Sequence, residues 1–362
     1  MARFGICIYP EHSTQSEIKK YIEKSAKAGC KRIFSCLLSV EKSKNEIIDE
    51  FRDWIDYAHS FDMEVILDVA PFVFQRLGIT YNDLSFFNEI HADGIRLDEG
   101  FDGMKEAVMT YNPYELKIEI NASTGTKYLE NILSYNPRKD RIITCHNFYP
   151  QRYTGLSQEH FENTSKYIKS MNFNVAAFVT SQNENTFGPW NVSEGLCTLE
   201  NHRNLPLHVQ IRHMFAMGFI DDVIIANCYA SDNELDILSK IDPYKLTFTV
   251  DKEYELSDVE MKILYEHEHI VRGDISEYMA RSTQPRITFK NSSIKPCNTR
   301  DIKKGDVIIL NDNYDRYKGE LHVAFKDMKN DGNKNVIGRI PENEIILIDY
   351  MKPWTPFKFI NI

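Results

Sequence analysis

No stretch of the chain approaches the roughly 18 consecutive apolar residues of a membrane-spanning helix. The opening run, Phe4-Gly5-Ile6-Cys7-Ile8-Tyr9-Pro10, is too short for a secretion signal and leads straight into Glu11 and His12. No C-x-x-C pair occurs among the seven cysteines, Cys7, Cys30, Cys36, Cys145, Cys197, Cys228 and Cys297. They are odd in number and widely spaced, and several sit in apolar runs where a thiol acts as a small hydrophobe, which fits a reducing compartment. A cytoplasmic location without a membrane partner is the expectation. G-x-G-x-x-G and G-x-x-x-x-G-K-[ST] are missing after every strand-like segment, which speaks against an open dinucleotide- or nucleotide-binding sheet. H-x-H, H-E-x-x-H and G-x-S-x-G are missing too, so neither a metal nor a serine nucleophile is indicated, and no cofactor is expected. Excess positive charge is also lacking. With 43 Lys and Arg against 53 Asp and Glu, the net charge of -10 argues against nucleic acid and anionic membranes as partners. A small anionic ligand needs only one or two local cations and stays open.

What is present is a rhythm. Apolar runs with β-branched residues span 4–10, 32–39, 64–71, 94–99, 117–123, 141–150, 175–181 and 222–231. Amphipathic stretches alternate with them, including 16–28, 45–60, 157–171 and 206–217, the last opening on Pro206 at a position suited to a first helical turn. Eight strands apolar on both faces, each followed by a helix, predict a (β/α)8 TIM barrel over residues 1–241. Pro10, Pro71 and Pro150 are expected to close three of the strands. The connection between the seventh and eighth strands is long, polar and aromatic, from Gln182 through Trp190 to Pro206. Such a loop at that end of a barrel covers a ligand or forms a passive insertion. After Ile241-Asp242-Pro243 the rhythm changes. Leu246–Val250, His269–Gly273, Asp306–Leu310, Glu320–Phe325 and Glu344–Asp349 read as strands of a smaller β-rich domain over 242–362, with turns at Lys304-Gly305-Asp306 and Asn330-Asp331-Gly332.

Strand alternation singles out the chemistry. In Gly94–Glu99, Ile95 and Leu97 share one face and Arg96 and Asp98 the other; in Lys117–Asn121, Ile118 and Ile120 oppose Lys117, Glu119 and Asn121. Asp98 and Glu119 then point inward from neighbouring strands. Two such carboxylates suit glycoside hydrolysis, one protonating the departing oxygen and the other attacking carbon or activating water. The competing reading pairs them with Arg96 or Lys117 inside the barrel. Glu11 is a third acid at a strand end, reading as an exposed cap ahead of a catalytic group, while Asp68 lies deeper and reads as an organiser of hydrogen bonds. His146, Asn147, Tyr149 and Arg152 crowd the end of the sixth strand, and Asn227 and Tyr229 that of the eighth. These are suitable donors for sugar hydroxyls, and Trp190 reads equally as a ring to stack on a sugar or as a packed anchor of its loop. His146 reads equally as a proton carrier or a structural histidine.

Several segments resemble the bacterial MupG family, the 6-phospho-N-acetylmuramidases. They are Gly5–Glu11, Gly94–Asp98, Ile118–Ser123, Cys145–Pro150, Glu194–Arg203 and Arg281–Arg286, spread over nearly the whole chain. The resemblance implies a barrel followed by a cyclophilin-like domain. It also implies hydrolysis of the β-1,4 bond of MurNAc 6-phosphate–GlcNAc, a phosphorylated amino-sugar disaccharide of cell-wall (peptidoglycan) recycling. Such a substrate carries two anionic groups, for which Arg152, Arg203, Arg281 and Arg286 are the candidate cations. Arg281 and Arg286 read equally as salt-bridge partners. The rivals are a phosphosugar isomerase or lyase on the same scaffold and a non-catalytic sugar-phosphate-binding regulator. The oligomeric state leaves no mark in the sequence.

Overall fold

A computed structural model of the chain describes residues 2–361. The chain divides after Ile241 into two compact units. In the first, eight parallel strands close into a barrel in sequence order: β1 Arg3–Ile8, β2 Cys30–Cys36, β3 Glu64–Val69, β4 Gly94–Leu97, β5 Lys117–Asn121, β6 Ile142–Cys145, β7 Val175–Val179 and β8 Asp222–Ile225. Outside them run α1 Gln15–Lys27, α2 Lys44–His59, α3 Pro71–Leu77, α4 Ser85–Glu89, α5 Met104–Met109, α6 Tyr128–Ser134, α7 Gln158–Ser170, α8 Leu207–Ala216 and α9 Asp232–Leu238. Capping boxes start three of these helices: Thr14 with Glu17, Ser43 with Glu46, and Ser231 with Glu234. Each box satisfies two backbone donors that a helix start otherwise leaves open. The outward strand residues and the inner helix faces form one apolar layer that includes Ile8, Ile33, Leu67, Ile95, Ile120, Trp54 and Phe161.

The strand ends differ from the expectation. Pro10 and Pro71 open helical turns, Pro10–His12 and α3, where a missing N–H costs nothing. Pro150 lies five residues beyond the end of β6. Pro206 stands at the N-cap of α8, one residue before its first turn.

Inside the barrel, height is set by stagger as well as by position along each strand. Register pairs Asp68 with Arg96 and Arg96 with Glu119. Strands in such a barrel tilt, and residues on alternate strands share a layer only after a shift of about two positions. The ion pair between Glu64 and Lys117 displays that shift at the floor. Gly5, Ile66, Glu119 and Ala176 therefore make one layer, and Cys7, Asp68, Asn121 and Phe178 the layer above. The floor is a girdle of charge. Arg3 bridges Asp222 at 2.6 Å and Glu64 at 3.0 Å, and Arg32 binds Asp222 at 2.7 Å and also Glu119. Just above this floor Gly94 lets three strands close up, since a Cβ there would lie 2.7 Å from the Lys117 carbonyl.

The second unit is β-rich. β9 Leu246–Phe248, β10 Asp251–Lys252, β11 His269–Ile270, β12 Met279–Ser282, β13 Asp306–Leu310, β14 Leu321–Ala324, β15 Lys334–Arg339 and β16 Pro356–Phe359 form two sheets, ordered β10-β15-β13-β14-β12 and β11-β16-β9. Short helices α10 Asp258–Met261 and α11 Pro285–Thr288 interrupt them. Gly305 and Gly332 take positive φ at the two expected turns. The expected strand Glu344–Asp349 is instead part of a 3-10 helix, Glu342–Tyr350. Its buried Glu344 accepts hydrogen bonds from the Thr249 backbone and hydroxyl, contacts that apolar periodicity does not foretell.

Candidate active site

At the carboxyl ends of the strands lies a cup of about 140 Å³, lined by Phe34, Cys36, Leu38, Asp68, Arg96, Asp98, Asn147, Phe148, Pro150, Phe178 and Trp190. Its chemical centre is one guanidinium. Arg96 Nη1 donates to Asp68 Oδ1 at 2.6 Å and to Asp98 Oδ1 at 3.0 Å, while Nη2 donates to the Asn147 side-chain oxygen. Two carboxylate oxygens sharing one nitrogen are no farther apart than those two bonds laid end to end. That is closer than the roughly 6.5–9.5 Å that leaves room for a water between two carboxyl groups. Burial lifts the Asp68 carboxyl to about 7 despite the pull of Arg96. The Asp98 side chain is 36% exposed and meets solvent. A carboxyl that exchanges its proton near neutral pH therefore stands beside a more open acid.

The structure brings Asp98 to this cup and leaves Glu119 below it. Glu119 does face inward, but it is fully buried one layer deeper, ion-paired with Arg32, and does not line the cavity. The neutralising cation is Arg32 from across the barrel; Lys117 pairs with Glu64 instead. The acid that joins Asp98 is Asp68, which one-strand-at-a-time reading places too deep. Only the stagger between strands reveals its height.

Other expected site residues divide into two groups. Asn147 and Trp190 line the cup, and Trp190 comes from the long loop before α8. That loop also drives the fully buried Leu196 into the inner barrel cluster with Tyr9, Phe34 and Phe178, so it is anchored over the mouth. Tyr149, half-buried, lies in the same segment as Asn147, and its backbone pairs with Cys197 of the loop. Asn121 donates to the Asp98 carbonyl at 3.3 Å and accepts from the Ser123 N–H at 2.9 Å, shaping the β5 end. Glu11 accepts from the Ser39 hydroxyl through one oxygen, and its other oxygen is buried without a hydrogen-bond partner among the described residues. Arg152 is 62% exposed with Glu194 at 3.8 Å, and so remains available to an anion.

The second group is committed elsewhere. His146 is buried against Phe161, with Ser165 at 2.8 Å on Nε2, and burial holds it down at about 3; it is a structural histidine. Asn227 is buried and clamps both backbone groups of Ser181. Tyr229 donates to Ser13 and packs edge-on against Tyr21 and Phe187. Arg203 is a brace: it grips the Glu200 carboxylate and donates to the carbonyls of Tyr149, Glu194 and Gly195. The same contact holds Glu200 down at about 2. Arg281 and Arg286 belong to the second unit, where Arg281 lies 3.6 Å from Asp274 and Arg286 pairs with Glu320 at 2.5 Å. No group of three or more His, Cys, Asp or Glu side chains suited to a metal occurs among the described residues. No helix among them is long and apolar enough to cross a membrane.

The sequence profile of the N-terminal part of the 6-phospho-N-acetylmuramidases matches residues 4–240, and that of the C-terminal part matches residues 246–360. The chain belongs to the 6-phospho-N-acetylmuramidase family. An uncharacterized B. cereus protein of known crystal structure is 46% identical to this muramidase-family chain over 100% of both chains, with a TM-score of 0.93. A conserved protein from Enterococcus faecalis, of unknown function, is 24% identical over 99% of this chain and 96% of its own, with a TM-score of 0.76, and shares the fold. Among curated proteins none matches. For a muramidase family, a glycosidase acting on a phosphorylated sugar follows from the name.

Proposed function

We propose that the protein is a cytoplasmic, cofactor-independent exo-glycosidase that cleaves the β-1,4 bond of MurNAc 6-phosphate–GlcNAc in peptidoglycan recycling. The observation that carries this reading is the pair Asp68 and Asp98 on one guanidinium at the barrel mouth. Asp68, protonated near neutral pH, donates its proton to the departing oxygen of GlcNAc. Asp98 attacks the anomeric carbon, forming a glycosyl ester. Asp68, now a carboxylate, takes a proton from water, whose oxygen displaces Asp98 and restores both groups. The short separation favours this double displacement and retention of configuration. The family resemblance supports exo-action. A protonated Asp68 also spares an anionic sugar a second fixed negative charge, and Arg152 is the open cation for its phosphate. The β-rich unit is taken, on the same resemblance, as cyclophilin-like.

The test is incubation with the phosphorylated disaccharide and its unphosphorylated form, with mass spectrometry for products and NMR of the first anomer released. Free GlcNAc from the phosphorylated form alone, with the retained anomer first, is expected. Isomerised or eliminated products would identify the rival sugar-phosphate enzyme. Tight binding without turnover would identify the regulator.

A further inference from the structure

Beside the barrel mouth, between α6 and α7, lies a larger cavity of about 340 Å³ that the proposed reaction does not use. Its base is apolar, made of Leu129, Ile168 and Met171, and its rim is polar, with Thr124, Thr126 and Asn163. Ligand cavities run from roughly 300 to 1,000 Å³ with apolar walls and a few polar groups to fix orientation. This one sits at the lower end. Its formal charges cancel within the wall. Lys127 reaches Glu130 at 2.9 Å and the Tyr167 hydroxyl at 2.7 Å, and lies 4.2 Å from the Tyr167 ring centre. An ion offered to this cavity meets no unspent counter-charge.

Neutral hydrogen-bonding capacity is what remains. Asn163 lines the cavity from the solvent-exposed side of α7, and its side-chain amide makes no hydrogen bond to another described residue. His160 also lines it, with Nε2 on the Ser123 carbonyl at 2.7 Å. A carbonyl only accepts, so Nε2 carries the hydrogen there and Nδ1 is left as an acceptor in the neutral ring. An apolar floor under a rim of neutral donors and acceptors suits a sugar ring, with C–H groups on its faces and hydroxyl and acetamido groups at its edge.

We propose that the α6–α7 cavity is a second binding site, for an uncharged N-acetylhexosamine. The choice of that sugar rests on the proposed reaction, in which the leaving half of the substrate is uncharged; the cavity's preference for a neutral polyhydroxylated ligand does not. The site is linked to the cup. Ser123, whose carbonyl His160 holds, accepts through its hydroxyl from the Asn147 N–H at 2.7 Å and donates its own N–H to Asn121. Both asparagines flank Asp98.

Saturation-transfer NMR of the intact protein with N-acetylglucosamine tests this, run on the unaltered chain, Asn163→Leu, Thr126→Ala and Asp98→Asn. Thermal melts of each variant confirm folding. Saturable binding is expected, retained in Asp98→Asn and weakened about tenfold or more in Asn163→Leu, with a smaller loss in Thr126→Ala. Binding lost in Asp98→Asn but intact in Asn163→Leu would put the sugar in the cup and overturn the proposal. No saturable binding, or equal binding in all four proteins, would overturn it as well. Hydrolysis of the disaccharide is scored separately, so failure of the glycosidase reading and failure of this site give different results.

Discussion

Keeping a proton on Asp68 near neutral pH requires the cost of burying its charge to outweigh the attraction of Arg96, and burial is the larger influence. The sign of the pH dependence follows. An acid that must be protonated works below its own pKa, so kcat is expected to level off below about 7 and fall tenfold per pH unit above it. Asp68→Asn should lower kcat by 10²-fold or more and abolish that alkaline limb. A limb that survives the substitution would assign the acid elsewhere. Asp98→Asn should lower kcat comparably while the disaccharide still binds by calorimetry. Glu119→Gln is predicted to behave differently. Glu119 and Arg32 are both fully buried, and breaking such a pair costs about 3 kcal/mol or more, partly offset here because Arg32 keeps Asp222. A fall in Tm with kcat per folded molecule nearly intact is expected; a kcat loss matching that of Asp98→Asn would return Glu119 to the chemistry. Alternation along β4 and β5 makes the inward direction of Asp98 and Glu119 legible in the sequence. Their difference in height is not, because it arises from tilt between strands and no single strand records it.

Among the elements, the loop of residues 182–206 is braced by the Arg203 side chain. Arg203 satisfies three carbonyls and a carboxylate at once, so Arg203→Ala leaves all four without that donor. Limited proteolysis is expected to cut within residues 182–206 several-fold faster in that variant, with KM raised because Trp190 loses its support. Unchanged cleavage would show that the other anchors, among them Leu196 and the Phe187–Cys228 backbone pairing, hold the loop without Arg203. The barrel elements are readable because each strand is a short apolar run and several helices announce themselves with Ser or Thr three residues before Glu. The β-rich unit is less so. Met279-Ala280-Arg281-Ser282 has no β-branched residue yet pairs with β14, while Ile345-Ile346-Leu347-Ile348 has three and curls into a 3-10 helix. In both cases tertiary partners decide, and partners lie beyond local pattern.

At the level of the whole molecule, buried histidines give stability a pH dependence. Burial holds His146 at about 3, His213 at about 4 and His269 at about 4. Unfolding releases each to an ordinary value near 6.5, so as pH falls the unfolded chain takes up protons first. Their contribution is intact above about 6.5 and is lost progressively towards 4. At about 1.4 kcal/mol per unit, His213 alone removes on the order of 3 kcal/mol across that window. Thermal unfolding followed from pH 7.5 to 4.5 should show a steady drop in Tm, and a flat profile would contradict the burial of these rings as uncharged groups. The girdle of Arg3, Arg32, Glu64, Lys117, Glu119 and Asp222 has a separate consequence for traffic. By bolting the far end of the cylinder it makes a cul-de-sac with one doorway. Whatever enters must back out the way it came, so the sugar released first vacates the entrance before the one held innermost departs. That innermost product is the one expected to compete with fresh substrate for the empty protein.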